Sequence, residues 1–328
     1  MRSSFLKRCL PALALASVVG ATTAANAQAS DWPTKPVTIV VPYAPGGNSD
    51  FLARLTAERL SKAFGQQFIV ENRAGAGGIV AADYMTRQPA DGYTLFWGTI
   101  TQISIAPYLY KIKYDPVKDF VPIANIGGNP LVITVGANSK FQTLDDLIKF
   151  GRANPGKLTV GHAGVGSLSH LSASVFLHRA GIEATMVPYK GGGPALTDMI
   201  AGQTDMYSAN ISEIMPHAKS GRVRFLGVSS EQPIKQLPGV PAIAQTFPGH
   251  WVETWNGLLG PAGTPQPIVD RLAAEVTKIL QSPDFQARLD EVGVAPQIGQ
   301  TKDAFAQRIQ KDMQLWRPII ERAGIKPE

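Results

Sequence analysis

The segment from Thr38 to Phe64 constrains the fold of this chain more than any other stretch. A run of mostly β-branched apolar residues at 37–41 predicts a short buried strand. Two prolines and two glycines at 42–47 end this strand, because proline lacks a backbone donor and glycine tolerates positive φ. Apolar residues then recur at helical spacing and predict a helix with a buried face. A strand, a loop and a helix in this order indicate an α/β fold.

The start of this helix predicts an anion-binding site. Ser49 or Asp50 is the expected N-cap, since a short polar side chain there accepts a hydrogen bond from a free backbone N–H. A strand, a glycine-rich loop and a helix N-terminus direct unpaired N–H groups and the positive end of the helix dipole at one point. That point suits a small anion.

The first 27 residues have the organisation of a secretory signal peptide. Arg2, Lys7 and Arg8 form a positive region, Cys9–Ala21 is apolar, and Ala25-Asn26-Ala27 is a small-residue cleavage site. The alternative is a membrane anchor, but the apolar stretch is shorter than the roughly 20 residues that a spanning helix needs. We expect cleavage after Ala27 and export of residues 28–328.

Charge and cysteine content exclude several classes of function. The net charge is +6, and removing three basic residues with the leader reduces it to +3, which does not favour nucleic-acid binding. Cys9 is the only cysteine and leaves with the leader, so the mature chain has no thiol and no disulfide. The five histidines show no HExxH spacing, and no G-x-S-x-G or G-x-x-x-x-G-K-[ST] motif occurs. We therefore predict no enzyme activity, no metal site and no cofactor.

A second strand–loop–helix unit follows about 120 residues later. Residues 158–160 predict a strand, 161–166 a loop, and Ser167 the N-cap of a helix. In open α/β sheets ligands bind outside the carboxyl ends of strands, so two such loops on two lobes predict a cleft between them. A Gly-Gly-Asn-Pro break at 127–130 marks the first crossing. The predicted lobes are 28–127 with 228–328, and 128–227.

Several motifs in the mature chain resemble those of one family. In chain order they are VPYAPGGNSD, ENRAGAGG, PADGYTL, VPYKGGGPALTDMIAGQ, PHAKSGRVR and PAGTP. This arrangement is similar to the Bug (Bordetella uptake gene) family of periplasmic solute receptors, and the similarity runs from about Trp32 to the C-terminus. The resemblance implies a two-lobed, type II periplasmic-binding-protein fold, each lobe a mixed sheet flanked by helices, that closes on its ligand.

The resemblance also implies a function. Family ligands are small carboxylates, and the receptor delivers them to the membrane components of a tripartite tricarboxylate transporter. The expected protein is periplasmic and monomeric. Two loops, here Tyr43–Asp50 and His162–His170, are implied to hold one carboxylate through backbone N–H groups and waters. A dicarboxylate, an aromatic acid and an amino acid remain open, and a sensor or an enzyme on the same scaffold is the alternative, because a fold does not determine a function.

Several individual residues have two alternative roles. Asp50 is either a helix cap or a contact to a ligand ammonium, and Tyr43 is either a wall for the ligand or a loop aromatic packed on the core. His170 faces either the cleft or the lobe interior, and Trp255 is expected to be buried packing. The predicted ligand-binding residues are Tyr43, Ala44, Gly46, Gly47, Asn48, Asp50, Thr99, Thr101, Gln102, Ala163, Gly164, Gly166, Ser167, His170 and Asn210.

Overall fold

The computed structural model describes residues 31–323, and the predicted signal peptide lies outside them. The strands are β1 (Val37–Val41), β2 (Phe68–Asn72), β3 (Thr94–Thr99), β4 (Phe120–Gly136), β5 (Leu158–His162), β6 (Ala184–Pro188), β7 (Met206–Asn210), β8 (Val223–Val228), β9 (Glu253–Pro261) and β10 (Ala295–Pro296). The α-helices are α1 (Asn48–Phe64), α2 (Ile79–Met85), α3 (Ala106–Leu109), α4 (Leu144–Ala153), α5 (Leu168–Ala180), α6 (Gly192–Ile200), α7 (Ile211–Lys219), α8 (Ile243–Thr246), α9 (Gln266–Gln281), α10 (Pro283–Asp290) and α11 (Lys302–Ala323). Single turns of 3₁₀-helix and π-helix occupy Ala76–Gly78 and Thr101–Ile105.

The first strand–loop–helix unit forms as predicted, with one correction at the helix start. β1 is buried between β2 and β3, and both pairings are parallel. The N-cap of α1 is Gly47, in extended backbone and without a side-chain cap, so the prediction of Ser49 or Asp50 is wrong. The Asp50 carboxylate instead accepts a hydrogen bond from the Gly46 N–H in the loop before the helix. α1 ends at Gly65, whose φ of 67° is the left-handed conformation that glycine adopts readily.

The sheet has the order β2-β1-β3-β9-β4-β7-β5-β6, with β8 and β10 also pairing β4. β9 is antiparallel to both β3 and β4, whereas β5 is parallel to both β6 and β7. The two ends of the sheet are therefore parallel units of the kind predicted, and antiparallel strands join them in the middle. This arrangement brings the loops after β1 and after β5 to face each other.

β4 is one continuous strand of 17 residues, so the predicted break at 127–130 is wrong. The glycines stay extended because they are paired on two sides, Gly127 with Asn256 of β9 and with Pro296 of β10. Beyond Pro130 the same strand pairs with β7 and β8. β4 thus belongs to both ends of the sheet.

Each end of the sheet has its own hydrophobic core. Val37, Leu52 and Leu272 belong to the core under α1 and α9, and Val160 and Phe176 belong to the core under α4 and α5. Two cores joined by a shared strand are what two lobes require. The boundaries at 127/128 and 227/228 remain a prediction.

Three local features outside the first unit follow from the sequence, and two of them, the Ser167 cap and the buried Trp255, were predicted above. Thr143 caps α4 in a reciprocal capping box with Asp146, which is a local pattern of the same kind. Ser167 caps α5, its hydroxyl accepting a hydrogen bond from the His170 N–H at 3.3 Å. Trp255 is buried, and its indole N–H donates to Asp312 at 2.8 Å.

Candidate functional site

A small cavity lies where the N-termini of α1 and α5 face each other. We call it the inner cavity, and its volume is about 40 Å³, enough for a few waters or a single carboxylate group. Its lining is mainly hydroxyls, amides and backbone, with one carboxyl group and no lysine, arginine or histidine. The lining residues are Tyr43, Gly47, Asn48, Ser49, Thr99, Thr101, Ala163, Ser167, Leu168, Ser169, Gly192, Tyr207, Asn210, Glu213 and Thr254.

The first turn of α1 forms one wall of the inner cavity. Gly47, Asn48 and Ser49 lie at the helix start, where the first backbone N–H groups have no partner within the helix itself. The side chain of Asn256 on β9 anchors this turn, since its Oδ1 accepts hydrogen bonds from Ser49 Oγ at 3.2 Å and Trp97 Nε1 at 3.2 Å. A helix N-terminus held in this way presents partial positive charge to the cavity.

The first turn of α5 forms the opposite wall. The Ser167 and Ser169 hydroxyls lie 3.0 Å apart, and Ser169 also accepts a hydrogen bond from the Ala163 N–H at 2.9 Å. The hydroxyls therefore hold the loop after β5 against the start of the helix. Two helix starts and a set of hydroxyl donors converge on the cavity, an arrangement that favours a small anion.

Tyr43 connects the inner cavity to the residues after β3. Its hydroxyl accepts a hydrogen bond from Gln102 Nε2 at 2.9 Å, and the same amide donates to the Gly77 carbonyl at 2.7 Å. Gln102 Oε1 accepts from the Thr99 hydroxyl at 2.8 Å. Burial raises the pKa of Tyr43, while hydrogen bonds from Thr101, Thr99 and Gln102 act against that rise. Tyr43 is therefore a neutral, fixed wall of the cavity.

The two histidines near the second loop carry no charge at neutral pH. Burial lowers the pKa of His162 and of His170 to about 4, and their rings lie with centroids 4.5 Å apart and tilted by 35°. His170 Nδ1 accepts a hydrogen bond from the Gly166 N–H at 3.1 Å, so this ring supports the loop from inside. Neither histidine supplies a positive charge for an anion.

Eight of the predicted residues line the inner cavity, and seven lie outside its lining. The Asp50 carboxylate accepts hydrogen bonds from Arg54, Gly46 and Asn72. Gln102 is linked to the cavity by its hydrogen bond to the Tyr43 hydroxyl. The Ala44 N–H donates to the Lys190 carbonyl at 3.2 Å. A direct ligand contact from these residues remains a prediction. The eight lining residues are Tyr43, Gly47, Asn48, Thr99, Thr101, Ala163, Ser167 and Asn210, and the other seven are Ala44, Gly46, Asp50, Gln102, Gly164, Gly166 and His170.

Seven lining residues were not predicted as individual contacts, although three of them (Ser49, Leu168 and Ser169) lie within the two loops that the resemblance implied. Ser49 was expected as a cap and not as a contact, and Gly192 lies in the glycine run of the VPYKGGGPALTDMIAGQ motif. Tyr207, Glu213 and Thr254 reach the cavity only because β7 and β9 both pair with β4, which no local pattern reveals. The full set is Ser49, Leu168, Ser169, Gly192, Tyr207, Glu213 and Thr254.

A second, larger cavity adjoins the first and shares Tyr43 and Ala163 with it. We call it the outer cavity, and its volume is about 510 Å³. The glycine-rich turn at 75–78 and the segment 188–190, which includes Lys190, contribute to its lining. The inner cavity is thus a small polar end, and the outer cavity has room for a longer molecule.

Contacts cross directly between the two ends of the sheet beside these cavities. The Ser212 hydroxyl on α7 donates to Asn48 Oδ1 on α1. The Tyr110 hydroxyl donates to the Val165 carbonyl in the loop after β5. These contacts close the cleft over the inner cavity, so the structure has its lobes together.

Comparison with known proteins identifies the family. A family model described as the tripartite tricarboxylate transporter family receptor matches residues 52–325. The chain belongs to this receptor family. This match and the solved structure of BugD confirm both the fold that the sequence resemblance implied and the similarity to the Bug receptors.

Three solved structures resemble this receptor closely. The periplasmic binding protein BugD is 29% identical with a TM-score of 0.87, over 90% of this chain and 100% of that one. R. palustris Rpa4515 with adipate is 36% identical with a TM-score of 0.86, again over 90% and 100%. MatC (Rpa3494) from Rhodopseudomonas palustris with bound malate is 32% identical with a TM-score of 0.84, over 88% and 100%.

Residues 31–323 of this receptor contain neither a candidate metal site nor a candidate membrane-spanning helix. No group of three or more His, Cys, Asp or Glu side chains within that range could hold a metal ion. No helix in the same range is both long and apolar enough to cross a bilayer.

Proposed function

We propose that this receptor is a periplasmic, non-catalytic solute-binding protein that captures a small carboxylate and delivers it to the membrane components of a tripartite tricarboxylate transporter. One observation carries this proposal: the starts of α1 and α5 face each other across a hydroxyl-lined inner cavity. Export would follow cleavage of the signal peptide after Ala27, and the two lobes would be 28–127 with 228–328, and 128–227.

The inner cavity would hold one carboxylate group of the ligand. Backbone N–H groups at Gly47–Ser49 and hydroxyls at Ser167 and Ser169 would donate to its oxygens, together with waters. The rest of the ligand would extend past Tyr43 towards the outer cavity. The relatives support this arrangement, since Rpa4515 and MatC contain adipate and malate, both acids with more than one carboxyl group.

A binding screen tests the proposal. The protein purified from the periplasm is heated with adipate, malate and a panel of aromatic and amino acids, and the melting temperature is recorded. A ligand at 100 times its Kd stabilises the folded state by about 2.7 kcal/mol, which is a visible shift. Mass spectrometry of the denatured protein identifies any acid that was purified with it.

Two results would contradict the proposal. The first is the absence of any stabilising acid together with no co-purified acid. The second is chemical conversion of a bound acid, which would make the protein an enzyme and would be detected by analysing the acid after incubation.

A further inference from the structure

Glu213 is the one carboxyl group in the lining of the inner cavity, and its position is unusual for an anion-binding site. It is the third residue of α7 and is only 6% exposed. Its Oε2 accepts a hydrogen bond from the Tyr207 hydroxyl at 3.3 Å, whereas its Oε1 accepts no hydrogen bond of normal geometry. A buried carboxyl oxygen without a partner is costly and indicates a missing partner in the cavity.

The backbone beside Glu213 is shaped to admit this carboxyl group. A Cβ added at Gly192 would lie within 2.5 Å of both carboxyl oxygens, so the carboxyl group could not keep this position beside a larger residue. Glycine at this position lets the carboxyl group lie against the start of α6 inside the cavity lining. The chain therefore accommodates Glu213 at the cavity, although an apolar residue would avoid the cost of burying an acid.

The charge on Glu213 decides what it can bind. An ionised Glu213 would repel a ligand carboxylate in the same small, buried space, because no cation lines the cavity to offset the two charges. Burial raises the pKa of Glu213 to about 8, while hydrogen bonds from Tyr207 and from the Asn48 backbone act against the rise. At neutral pH the group is therefore mostly a neutral acid, which can donate a hydrogen bond.

Several of the other titratable groups on the elements packed against α7 have partners outside the cavity. Asp50 on α1 is paired with Arg54, Asp198 on α6 accepts from Tyr189, and Arg224 on β8 donates to the Phe141 carbonyl. Burial raises the pKa of Tyr207 on β7, so this phenol stays protonated. On α7 itself, burial lowers the pKa of His217. The charged groups on these elements are Asp50, Arg54, Glu58, Arg59 and Lys62 on α1, Asp198 on α6, Arg224 on β8, and Lys219 on α7.

We propose that Glu213 binds the ligand as a carboxylic acid, donating its O–H from Oε1 to an oxygen of the ligand carboxylate in the inner cavity. This inference rests on the proposed function and identifies a residue that selects its ligand. The proton stays on Glu213, so the pair carries one negative charge. A neutral acid can donate to a ligand carboxylate, but it offers no negative charge to a ligand ammonium.

Calorimetric titration at pH 7 and pH 9 tests this inference, with adipate, malate and aspartate as probes. In the wild-type protein we expect adipate or malate to bind about tenfold more weakly at pH 9, because the acid must first regain its proton. Glu213→Gln keeps a neutral donor of the same shape, so its affinity should change less than twofold between the two pH values. Glu253→Gln, which removes an acid with a burial-raised pKa from outside the cavity lining, should retain the wild-type pH profile.

Several outcomes would overturn this inference, and one of them would also defeat the proposed function. Equal affinity at both pH values in the wild type, or an equal decrease in Glu213→Gln, would overturn the inference while leaving the proposed function standing. Aspartate binding that strengthens at pH 9 and disappears in Glu213→Gln would also overturn it, because Glu213 would then be an ionised acceptor for an ammonium. Failure of all three probes and of the wider acid panel to bind either protein would defeat the proposed function, and this inference with it.

Discussion

Ser212 on α7 donates its hydroxyl hydrogen to the side-chain oxygen of Asn48, the residue that begins α1. The two residues are 164 positions apart and are both buried. Asn48 also lines the inner cavity, so this bond joins the two ends of the sheet at the edge of the proposed site. Closure of the cleft and formation of the cavity are therefore linked through one side chain.

Replacing Ser212 with alanine should favour the open cleft. We expect the Ser212→Ala variant to release its ligand about three- to tenfold faster, since a buried hydrogen bond contributes about 1 kcal/mol and Asn48 would lose a donor. Stopped-flow measurement of ligand dissociation checks this. Ser220→Ala is the matched control, because Ser220 lies exposed just after the same helix and donates only to the His217 carbonyl. An unchanged dissociation rate in Ser212→Ala would show that this bond does not hold the cleft closed.

Replacing Gly47 with valine should abolish ligand binding without unfolding the protein. A Cβ at Gly47 would lie 3.6 Å from the Gly192 nitrogen, an ordinary contact, and its φ of −90° suits any residue. The additional methyl groups of valine would occupy the space between the two glycine-rich loops and block backbone approach to the ligand. Thermal-shift and calorimetric titration measure both effects. Gly47→Ala should bind nearly as the wild type does, and normal binding by Gly47→Val would refute the assignment of this loop.

Replacing Asp50 with asparagine should destabilise the first loop, with a defined pH dependence. Burial acts to raise the pKa of Asp50, but hydrogen bonds from Arg54, Gly46 and Asn72 outweigh it and lower the pKa. A lowered pKa means that Asp50 stabilises the fold above its unfolded pKa and loses that contribution as the pH falls through the folded value. The Asp50→Asn variant should therefore unfold with about 1–2 kcal/mol less free energy at pH 7, and the difference should shrink in acid.

Urea unfolding at pH 7 and at pH 3 measures this difference. Asp83→Asn serves as the control, because Asp83 accepts from Arg87 in a surface ion pair of a kind that contributes less than about 1 kcal/mol. A destabilisation in Asp50→Asn that is the same at both pH values would mean that the charge of Asp50 is not what holds the loop.

The parts of the structure that the sequence predicted are those whose causes are local. The strand at 37–41, the loop after it, the Ser167 cap and the glycine loops all follow from backbone preferences within a few residues. Two loops at the ends of parallel strands then indicated a cleft. The resemblance to the Bug receptors supplied the fold of the whole chain, which local patterns alone did not.

The parts that the sequence did not predict depend on long-range pairing. Gly127 stays in a strand because it pairs with two neighbouring strands. α1 starts at Asn48, and the Asp50 carboxylate accepts a hydrogen bond from the Gly46 N–H in the preceding loop instead of capping the helix. Glu213 and Tyr207 reach the cavity through the order of strands in the sheet. Their residue types give no sign of this, because a glutamate early in a helix is an ordinary favourable choice at a positive helix end.

β4 has a consequence for how the protein unfolds. Because this one strand supplies hydrogen bonds to both ends of the sheet, neither end can lose its pairing without exposing a strand edge of the other. The two lobes should therefore melt together in a single cooperative transition, although each has its own core. A ligand held by one wall of the cleft would then protect the entire chain against proteolysis.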